Sequence, residues 1–535
     1  MASLGIYSAP ARAMPVDALV AIGEHFLDGA VIGRIALLVP LLAAGWGVQR
    51  ILGDAGLLAR LVGGGFAVWN PFVVERLALG QWTVVWAYAA VPWLLLATVR
   101  IANARSATAV RHLLLPAAFA SVTATGGVLT LVVVGCVFFA TRPGWRPVLS
   151  GLIMVVCLQT PWALATVLGS SRLVIDPASS VAFAARPEWG GIIPTLLTGG
   201  GIWNADITPA SRGTFLVLIG AVIIVGAAFL ARRRARIVLG EAAHGWLMAA
   251  GVGCALALAS CVPGVSVVVH HLIAVVPGGG LLRDGQKWIA PSVAYAAVLV
   301  GLAVEDVQER ARERSLAPWR LMGIAAGAVL LPVLLLPDAV RVVWPTLTPV
   351  SYPHGYTVVD ELVKGGDVVS LPFQPYRAFS WAGERPALDP APRLLSAHVI
   401  VDDRLSVGNR LLGGEDPRAD RIGTALSSSD LPAALAEAGV EWVLVERDTP
   451  GVVPDVSALR MVYSDAAVAL YRVRNPVSVR PSHTKLVAEA AATLVWAAAA
   501  SLALLSATWP LLMTTWTYVR RLCRNRDQDD RLLQG

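Results

Sequence analysis

Charged residues are scarce in this chain of 535 residues: only 15% are Asp, Glu, Lys or Arg, whereas 56% are apolar. A soluble protein has about 25% charged residues, and a soluble core could not bury so much apolar surface. Lipid must therefore be the solvent for most of the chain. Apolar stretches of about 18 residues or more, which span a bilayer as helices, recur along the sequence.

The motifs of several common enzyme classes are also missing. The chain contains no P-loop, no GxSxG elbow, no CxxC pair and no HExxH zinc motif. The glycine triplets at 199–201 and 278–280 do not follow a predicted strand, so they are not dinucleotide-binding fingerprints. The five cysteines show neither zinc-site spacing nor a disulfide framework.

We predict about eleven membrane helices, with a water-soluble domain before the last one. The fourth and fifth are short and are divided by Thr123, Thr125, Gly126 and Gly127, so they form either a broken pair or two full crossings. The predicted spans are 33–51, 56–74, 81–99, 112–124, 126–141, 148–168, 213–231, 245–264, 288–304, 320–337 and 486–515.

The net charge of +7 arises from short arginine clusters between these spans and does not indicate a nucleic-acid-binding protein. With eleven spans, every cluster falls on one side, which the positive-inside rule identifies as the cytoplasm. The opposite side carries the loops 75–80, 169–212 and 265–287 and the soluble domain. We therefore expect a multi-pass plasma-membrane protein whose soluble domain is extracytoplasmic.

This topology places the N-terminus on the outer side of the membrane. No hydrophobic helix precedes it, so we expect that the chain starts late and that one helix and one outer loop are missing. Residues 16–28 have helical spacing and form either a helix on the outer surface or an extension of the first span. The topology divides the chain into five predicted regions. They are the outer-surface segment 1–32, the membrane core 33–337, the extracytoplasmic α/β or α+β domain 338–484, the last helix 485–515 and the cytoplasmic tail 516–535.

The soluble domain mixes strand and helix patterns. We predict strands at 367–373 and 441–448, a strand pair within 459–473, and a helix over 430–440 with Asp430 as its N-cap. Between residues 351 and 475 acidic residues outnumber basic ones by 17 to 12, which is typical of a soluble module that does not lie on anionic lipid.

The first candidate site is NPFVVERLALGQW, residues 70–82. Asn70-Pro71 should break the second span at its outer end. Ionisable groups at membrane depth are costly and tend to face a cavity. Arg76 is therefore a candidate for contact with a lipid phosphate, with Glu75 orienting it or a sugar hydroxyl. The alternative is an interfacial salt bridge that closes a tight turn.

The second candidate site is PGGGLLRDGQKW, residues 277–288. Arg283 and Lys287 are four residues apart and share one face if the segment is helical, which suits a phosphate clamp. Asp284 is a candidate base or metal ligand. The alternative is an interfacial anchor, with Trp288 among the headgroups and Lys287 snorkelling.

The third candidate site is the loop 186–206. Trp203 beside Asp206 indicates sugar binding, because the ring can stack on a sugar face while the carboxylate accepts hydrogen bonds from hydroxyls. Tryptophan is also common at membrane interfaces without any ligand. Glu24, His25 and Asp28 form a small cluster that could hold a cation or contribute to a site. No cofactor is certain from the sequence, and a divalent cation stays open.

The segments 70–82 and 281–288, together with SAPARAMPVDALV at 8–20, resemble a family of actinobacterial polytopic membrane proteins. That family is similar to the membrane core of mycobacterial α-(1→3)-arabinofuranosyltransferases, which have the GT-C fold. The resemblance covers about residues 7–310. It implies a polyprenyl-phosphate sugar as donor and an acid in the first outer loop as catalytic base. No residue here matches that acid; Asp17, Glu24 and Asp28 lie outside any matching motif.

The leading interpretation is thus a glycosyltransferase that moves an arabinofuranosyl or similar sugar from polyprenyl phosphate to a cell-envelope glycan. Its partners would be the lipid bilayer, the lipid-linked sugar and the glycan, without nucleic acid. The alternative is a non-catalytic protein that binds envelope lipid or glycan or scaffolds its assembly. A transporter is disfavoured because few charges lie inside the spans and no internal repeat is visible.

Overall fold

The computed structural model describes residues 13–169, 176, 179–407, 410–479 and 483–502. Part of the predicted outer-surface segment, the second half of the last span and the predicted tail 516–535 lie outside the described residues.

Most of the described chain is helical, because a backbone in lipid must satisfy its N–H and C=O groups internally. In chain order, the helices before the soluble domain are α1 (Val16–Gly23), α2 (Gly29–Leu52), α3 (Leu57–Val68), α4 (Pro71–Ala78), α5 (Trp82–Ala104), α6 (Arg111–Ala120), α7 (Ala124–Thr141), α8 (Trp145–Gly169), α9 (Ser179–Ala182), α10 (Ile192–Leu197), α11 (Leu216–Leu239), α12 (Ala242–Ala259), α13 (Val265–Val275), α14 (Ala290–Glu313), α15 (Pro318–Leu335) and α16 (Ala339–Val343).

Ten helical segments of the described chain are long and apolar enough to cross a membrane, against about eleven predicted. The difference is the predicted span 112–124, which is the ten-residue helix α6. It is separated from α7 by residues 121–123, and the Thr123 hydroxyl accepts a hydrogen bond from the Gly126 N–H at 3.0 Å. Of the two alternatives for this region, the broken pair is the one observed.

The segment 16–28 does not continue the first span. Helix α1 ends at Gly23, and Asp28 begins α2 as an N-cap whose carboxylate accepts from the Ala30 N–H at 2.8 Å. The prediction of a plain helix extension is therefore wrong. Asp28 stabilises a helix end, which accounts for its presence in the small acidic cluster.

Helix α14 lies at the centre of the membrane core, where it packs against α3, α11 and α12. Close packing is possible because small residues line the contact with α3. A Cβ added to Gly63 would lie 3.1 Å from the Ala297 carbonyl oxygen, and one added to Gly301 would lie 3.0 Å from that of Ala59. Small residues at such positions let two helix backbones approach, as membrane helix pairs require.

The soluble domain and the last helix follow. Their elements are α17 (Gly355–Leu362), β1 (Asp367–Leu371), β2 (Tyr376–Ala378), β3 (Pro386–Leu388), α18 (Ala391–Leu394), β4 (His398–Ile400), β5 (Leu405–Val407), β6 (Arg410–Leu412), α19 (Pro417–Ala425), α20 (Leu431–Glu437), β7 (Trp442–Glu446), β8 (Arg460–Ser464), β9 (Val468–Arg472) and α21 (His483–Leu502).

The main sheet of this domain has the strand order β4-β1-β7-β9-β8. Strand β1 pairs in parallel with β4 and β7, whereas β9 is antiparallel to both β7 and β8. Buried β-branched and aliphatic side chains cover both faces of the sheet, as expected for strands enclosed by helices. The predicted strands and the helix begun by Asp430 are confirmed, so the domain is α/β; its predicted boundaries stay a prediction.

Candidate functional site

The break between α3 and α4 positions the first candidate segment. The Asn70 side chain caps α4 by accepting from the Val73 N–H at 3.0 Å, and it donates to the Phe66 and Ala67 carbonyls at 3.0 Å each. Pro71 occupies the first turn of α4, where its missing N–H costs nothing. The predicted Asn-Pro break is confirmed, and it directs Glu75 and Arg76 into the protein.

Arg76 is completely buried and lies at the centre of several side-chain contacts. Its guanidinium forms a bidentate ion pair with Asp284 and hydrogen bonds with Gln286 and Gln81; its Nε lies 2.9 Å from the Gln286 side-chain oxygen. Such a fork geometry suits a carboxylate. Arg76 thus forms an ion pair with a distant segment, which differs from the local salt bridge of the alternative interpretation. Phosphate contact by Arg76 stays a prediction.

Glu75 is also completely buried and contacts the third candidate loop. Its Oε2 accepts from the Ile202 N–H at 3.2 Å and from the Gln286 amide at 3.3 Å. Gln286 in turn donates to the Gly199 carbonyl at 3.2 Å. Gln286 therefore links all three candidate segments, with partners 87 and 211 positions away in the sequence.

A second ion pair holds the loop 186–212 together. Arg212 donates through Nε to Glu188 at 2.7 Å and through Nη2 to the Thr198 hydroxyl at 2.6 Å. Glu188 also accepts from the Gly201 N–H at 3.0 Å. Both charged side chains are nearly buried, so they stabilise this loop against the core. The cavity beside them, lined in part by Asn70 and Arg212, is about 20 Å³, room for about one water molecule.

Arg283 and Lys287 do not lie on one helix. Two separate 3₁₀ turns, Gly279–Leu282 and Gln286–Ile289, flank residues 283–285. The helix that would place both cations on one face is absent from this segment, so that part of the clamp prediction is wrong. The two cations are nevertheless within Coulombic range of each other, and both lie near Asp284 and Arg76.

Arg283 reaches the soluble domain. Its Nη1 lies 2.5 Å from the Glu415 carboxylate, with the Arg283 side chain about a quarter exposed. Asp403 accepts from the Glu415 and Asp416 N–H groups at 2.7 and 3.0 Å, which fixes the segment that presents Glu415. The second candidate loop therefore contacts the membrane core on one side and the α/β domain on the other.

Lys287 is the cation with the fewest partners. The residue is only 7% exposed and lies 5.0 Å from the Trp288 ring centroid. Within the described part of the chain, no oxygen accepts a hydrogen bond from its ammonium group. A lysine with so little exposure and no hydrogen-bond acceptor is a candidate for contact with an anion.

Trp203 and Asp206 stay at the edge of this arrangement. Trp203 packs edge-to-face on Phe183 with ring centroids 4.8 Å apart, and the Arg283 guanidinium lies 5.9 Å from the same Phe183 ring. Asp206 is exposed and its N–H donates to the Asn204 side chain at 2.9 Å. Sugar contact by these two residues stays a prediction. Among the described residues, no group of three or more His, Cys, Asp or Glu side chains could hold a metal ion.

Sequence reasoning missed Gln286, Arg212 and Glu415 as members of this network. Gln286 lay inside a quoted motif, and a glutamine beside two charged residues at membrane depth is a signal that it is buried and hydrogen-bonded. Glu415 had no comparable signal, because its partner Arg283 is 132 positions away in the sequence.

Neither a protein-family model nor a curated protein sequence matches this chain. Several solved structures are similar. The arabinofuranosyltransferase AftD from Mycobacteria matches with a TM-score of 0.51 and 16% identity over 87% of this chain and 35% of that one. A mutant of AftD has a TM-score of 0.44, with 16% identity over 88% of this chain and 37% of that one. The oligosaccharyltransferase AglB from Archaeoglobus fulgidus has a TM-score of 0.43, with 13% identity over 80% of this chain and 60% of that one.

The match to AftD covers most of this chain, although this chain spans about a third of the length of AftD. At 16% identity it shows the fold. This chain is therefore a multi-pass membrane protein, mostly α-helical, with a GT-C-like membrane core.

Proposed function

We propose that this protein is a membrane glycosyltransferase that moves an arabinofuranosyl or similar sugar from a polyprenyl phosphate to a cell-envelope glycan on the outer face of the plasma membrane. The observation that supports the proposal is the similarity of its fold to AftD over 87% of the chain. The loops 186–212 and 277–289 and the α/β domain would then form the extracytoplasmic side.

Lys287 supplies the local chemistry for a lipid phosphate. The residue is 7% exposed in the 3₁₀ turn before α14, and its ammonium group has no hydrogen-bond acceptor among the described residues. A phosphate oxygen would supply one, and the positive charge would stabilise the phosphate as it departs from the sugar. Arg283 lies close enough to contribute. The ion pair of Arg76 and Asp284 holds the loop 277–289, which carries both cations, in place.

The step itself requires a carboxylate to take the proton of the acceptor hydroxyl as that oxygen attacks the anomeric carbon and the carbon–phosphate oxygen bond breaks. We assign no residue of this chain to that base. Asp28 caps α2, and Asp17 lies 3.3 Å from Arg393 of the soluble domain. These occupied acids favour a second candidate function, in which the chain binds the lipid-linked sugar without transferring it.

The test is the full chain in nanodiscs, measured for binding of a radiolabelled polyprenyl-phosphate arabinofuranose and for transfer to an arabinofuranosyl oligosaccharide. Wild type should bind the donor, and Lys287→Met should weaken binding about tenfold, the effect of one lost charge-assisted hydrogen bond. The matched control, Lys364→Met, changes an exposed lysine of the soluble domain and should bind normally.

Binding with transfer supports the glycosyltransferase. Binding without transfer supports the second candidate. If wild type does not bind the donor, or if Lys287→Met binds as tightly as wild type, the assignment of Lys287 to the phosphate is wrong.

A further inference from the structure

The α/β domain has an open cleft at the carboxyl ends of its two central parallel strands. Strands β1 and β7 are neighbours and end at Leu371 and Glu446. In the sheet, the strand that follows β1 in the sequence and pairs with it, β4, lies on one side of the β1–β7 pair. The strands that follow β7, β8 and β9, lie on the other side. In open α/β sheets, this change of direction creates a crevice where ligands bind.

The cleft consists of two depressions that share Ala378 and Pro450. One is about 460 Å³ and is lined by Ser380, Glu384, Arg447, Asp448 and Thr449 as well as the two shared residues. The other is about 400 Å³ and is lined by Gln374, Tyr376, Arg377, Pro386 and Gly451 together with them. Each volume lies within the range of small-ligand sites, and together they suit an extended chain of small units.

Hydrogen bonds between the loops that follow β1 and β7 fix the side chains around the cleft. Asp448 accepts from the Ser380 N–H at 3.1 Å, and the Thr449 hydroxyl accepts from the Ala378 N–H at 3.1 Å. The Gln374 amide donates to the Pro450 carbonyl at 2.8 Å. These bonds hold the β1 and β7 loops against each other, so the polar groups form a preorganised rim.

Arg377 forms the floor of the second depression and is 1% exposed. It pairs with Asp389 at 2.8 Å and with Glu446 at 2.5 Å, and Tyr356 donates to Glu446 at 2.7 Å. The Arg377 Nε–H has no acceptor among the described residues. The Arg377 charge is thus already balanced by the buried Asp389, while the rim carries Glu384, Asp448 and Arg447.

This distribution of charges around the cleft favours an uncharged ligand over an anion. A nucleotide or a lipid phosphate would place its negative charge against Glu384 and Asp448, which costs free energy. A glycan hydroxyl both donates and accepts, so it can satisfy carboxylates, hydroxyls, an amide and a guanidinium in the same cleft. Tyr376 is 46% exposed at the second depression. Exposed aromatic faces of this kind pack against the C–H face of a sugar ring.

We propose that this cleft binds an uncharged glycan chain. The inference deepens the proposed function, on which it rests for the role of the glycan as acceptor; binding itself can be measured without any transfer. Asp448 and Glu384 accept hydrogen bonds from sugar hydroxyls, and Tyr376 stacks on a sugar ring.

The experiment uses the full chain in nanodiscs and an arabinofuranosyl oligosaccharide as probe, with binding followed by saturation-transfer difference NMR and titration. Wild type should bind. Tyr376→Ala and Asp448→Asn should each weaken binding about tenfold, because the first removes a stacking contact and the second a charge-assisted hydrogen bond. Asn can still accept from the Ser380 N–H, so Asp448→Asn keeps the loop contact.

Two controls change exposed residues of the same domain away from the cleft: Asp455→Asn and, on the outer strand β8, Met461→Ala. Both should bind within about twofold of wild type. A mannosyl oligosaccharide tests the sugar preference, and binding of either glycan by wild type with loss in the cleft variants supports the proposal.

Absence of glycan binding by wild type would overturn the proposal, as would equal binding by the cleft variants and wild type. Normal glycan binding in a protein that shows no transfer would contradict the proposed glycosyltransferase and leave the cleft assignment intact.

Discussion

Arg76 and Asp284 are 208 residues apart in the sequence and form a bidentate ion pair inside the protein, with side chains 0% and 15% exposed. The pair joins the short helix α4 to the loop that precedes α14. Because Gln286 adds hydrogen bonds to both Arg76 and Glu75, this pair is the centre of the polar network that positions all three candidate segments.

Loss of one member of this pair should be strongly destabilising. Arg76→Met leaves Asp284 without its cation in a nearly dry place, which costs about 3–5 kcal/mol. Arg76→Met combined with Asp284→Asn should recover part of that loss. Apparent melting temperatures of the purified protein in detergent measure both effects. Arg146→Met is the control, since Arg146 is exposed; equal melting temperatures for Arg76→Met and this control would refute the structural role.

Glu415 should weaken donor binding by competing for Arg283. The two side chains lie 2.5 Å apart, and Glu415 is 8% exposed. Glu415→Gln removes the negative charge, so Arg283 becomes available to a phosphate and donor affinity should rise a few-fold. Binding of polyprenyl-phosphate arabinofuranose in nanodiscs gives the measurement. Asp416→Asn, which changes the neighbouring acid, is the control; unchanged affinity in Glu415→Gln would mean that Arg283 does not meet the donor.

Two glycines of α3 should respond differently to the same substitution. A Cβ at Gly63 would lie 2.8 Å from Leu52 Cδ1 and 3.4 Å from the Gly301 Cα, whereas a Cβ at Gly65 meets no described atom within 4 Å. Gly63→Ala should therefore separate α3 from α14 and cost about 1–3 kcal/mol. Gly65→Ala should be neutral or slightly stabilising, since Ala favours a helix. Melting temperatures that are lowered equally in both variants would contradict the close packing of α3 and α14.

The α/β domain should become less stable as pH rises from about 5 to 8. Burial and the neighbouring Asp389 raise the pKa of Glu446 from its usual 4.5 to about 8, although Arg377 opposes them. Between these two values the folded state binds more protons than the unfolded state, so the free energy of unfolding falls with rising pH. Glu446→Gln should reduce this slope, and the exposed Glu361→Gln should not.

Melting temperatures of the intact protein at pH 5, 6.5 and 8 test this dependence. Asp367 acts in the opposite direction: burial raises its pKa, but hydrogen bonds from His398 and Arg418 outweigh burial and lower it. Its contribution is lost only on acidification below the usual pKa of Asp, outside this window. A pH slope in Glu446→Gln equal to that of wild type would show that Glu446 does not bind the extra proton.

Signals carried by neighbouring residues explain which helix ends and strands could be predicted from the sequence. Asn70-Pro71 had to end α3, because proline cannot continue a helix, and Asp430 had to begin α20, because its carboxylate caps the first N–H groups. The strand at 367–371 follows from a short run of β-branched residues. The prediction that Arg283 and Lys287 share one helix face was wrong. Its spacing assumed a helix, but the glycines at 278–280 and at 285 divide the segment into two turns.

The sequence by itself determined that this is a multi-pass membrane protein with a late domain of mixed strands and helices, because hydrophobic length and β-branched periodicity are properties of neighbouring residues. Only the tertiary structure decided which charges meet. The pairs Arg76–Asp284, Arg212–Glu188 and Arg283–Glu415 join residues from 24 to 208 positions apart. Burial makes such pairing obligatory, but which partner satisfies each charge depends on how the helices pack.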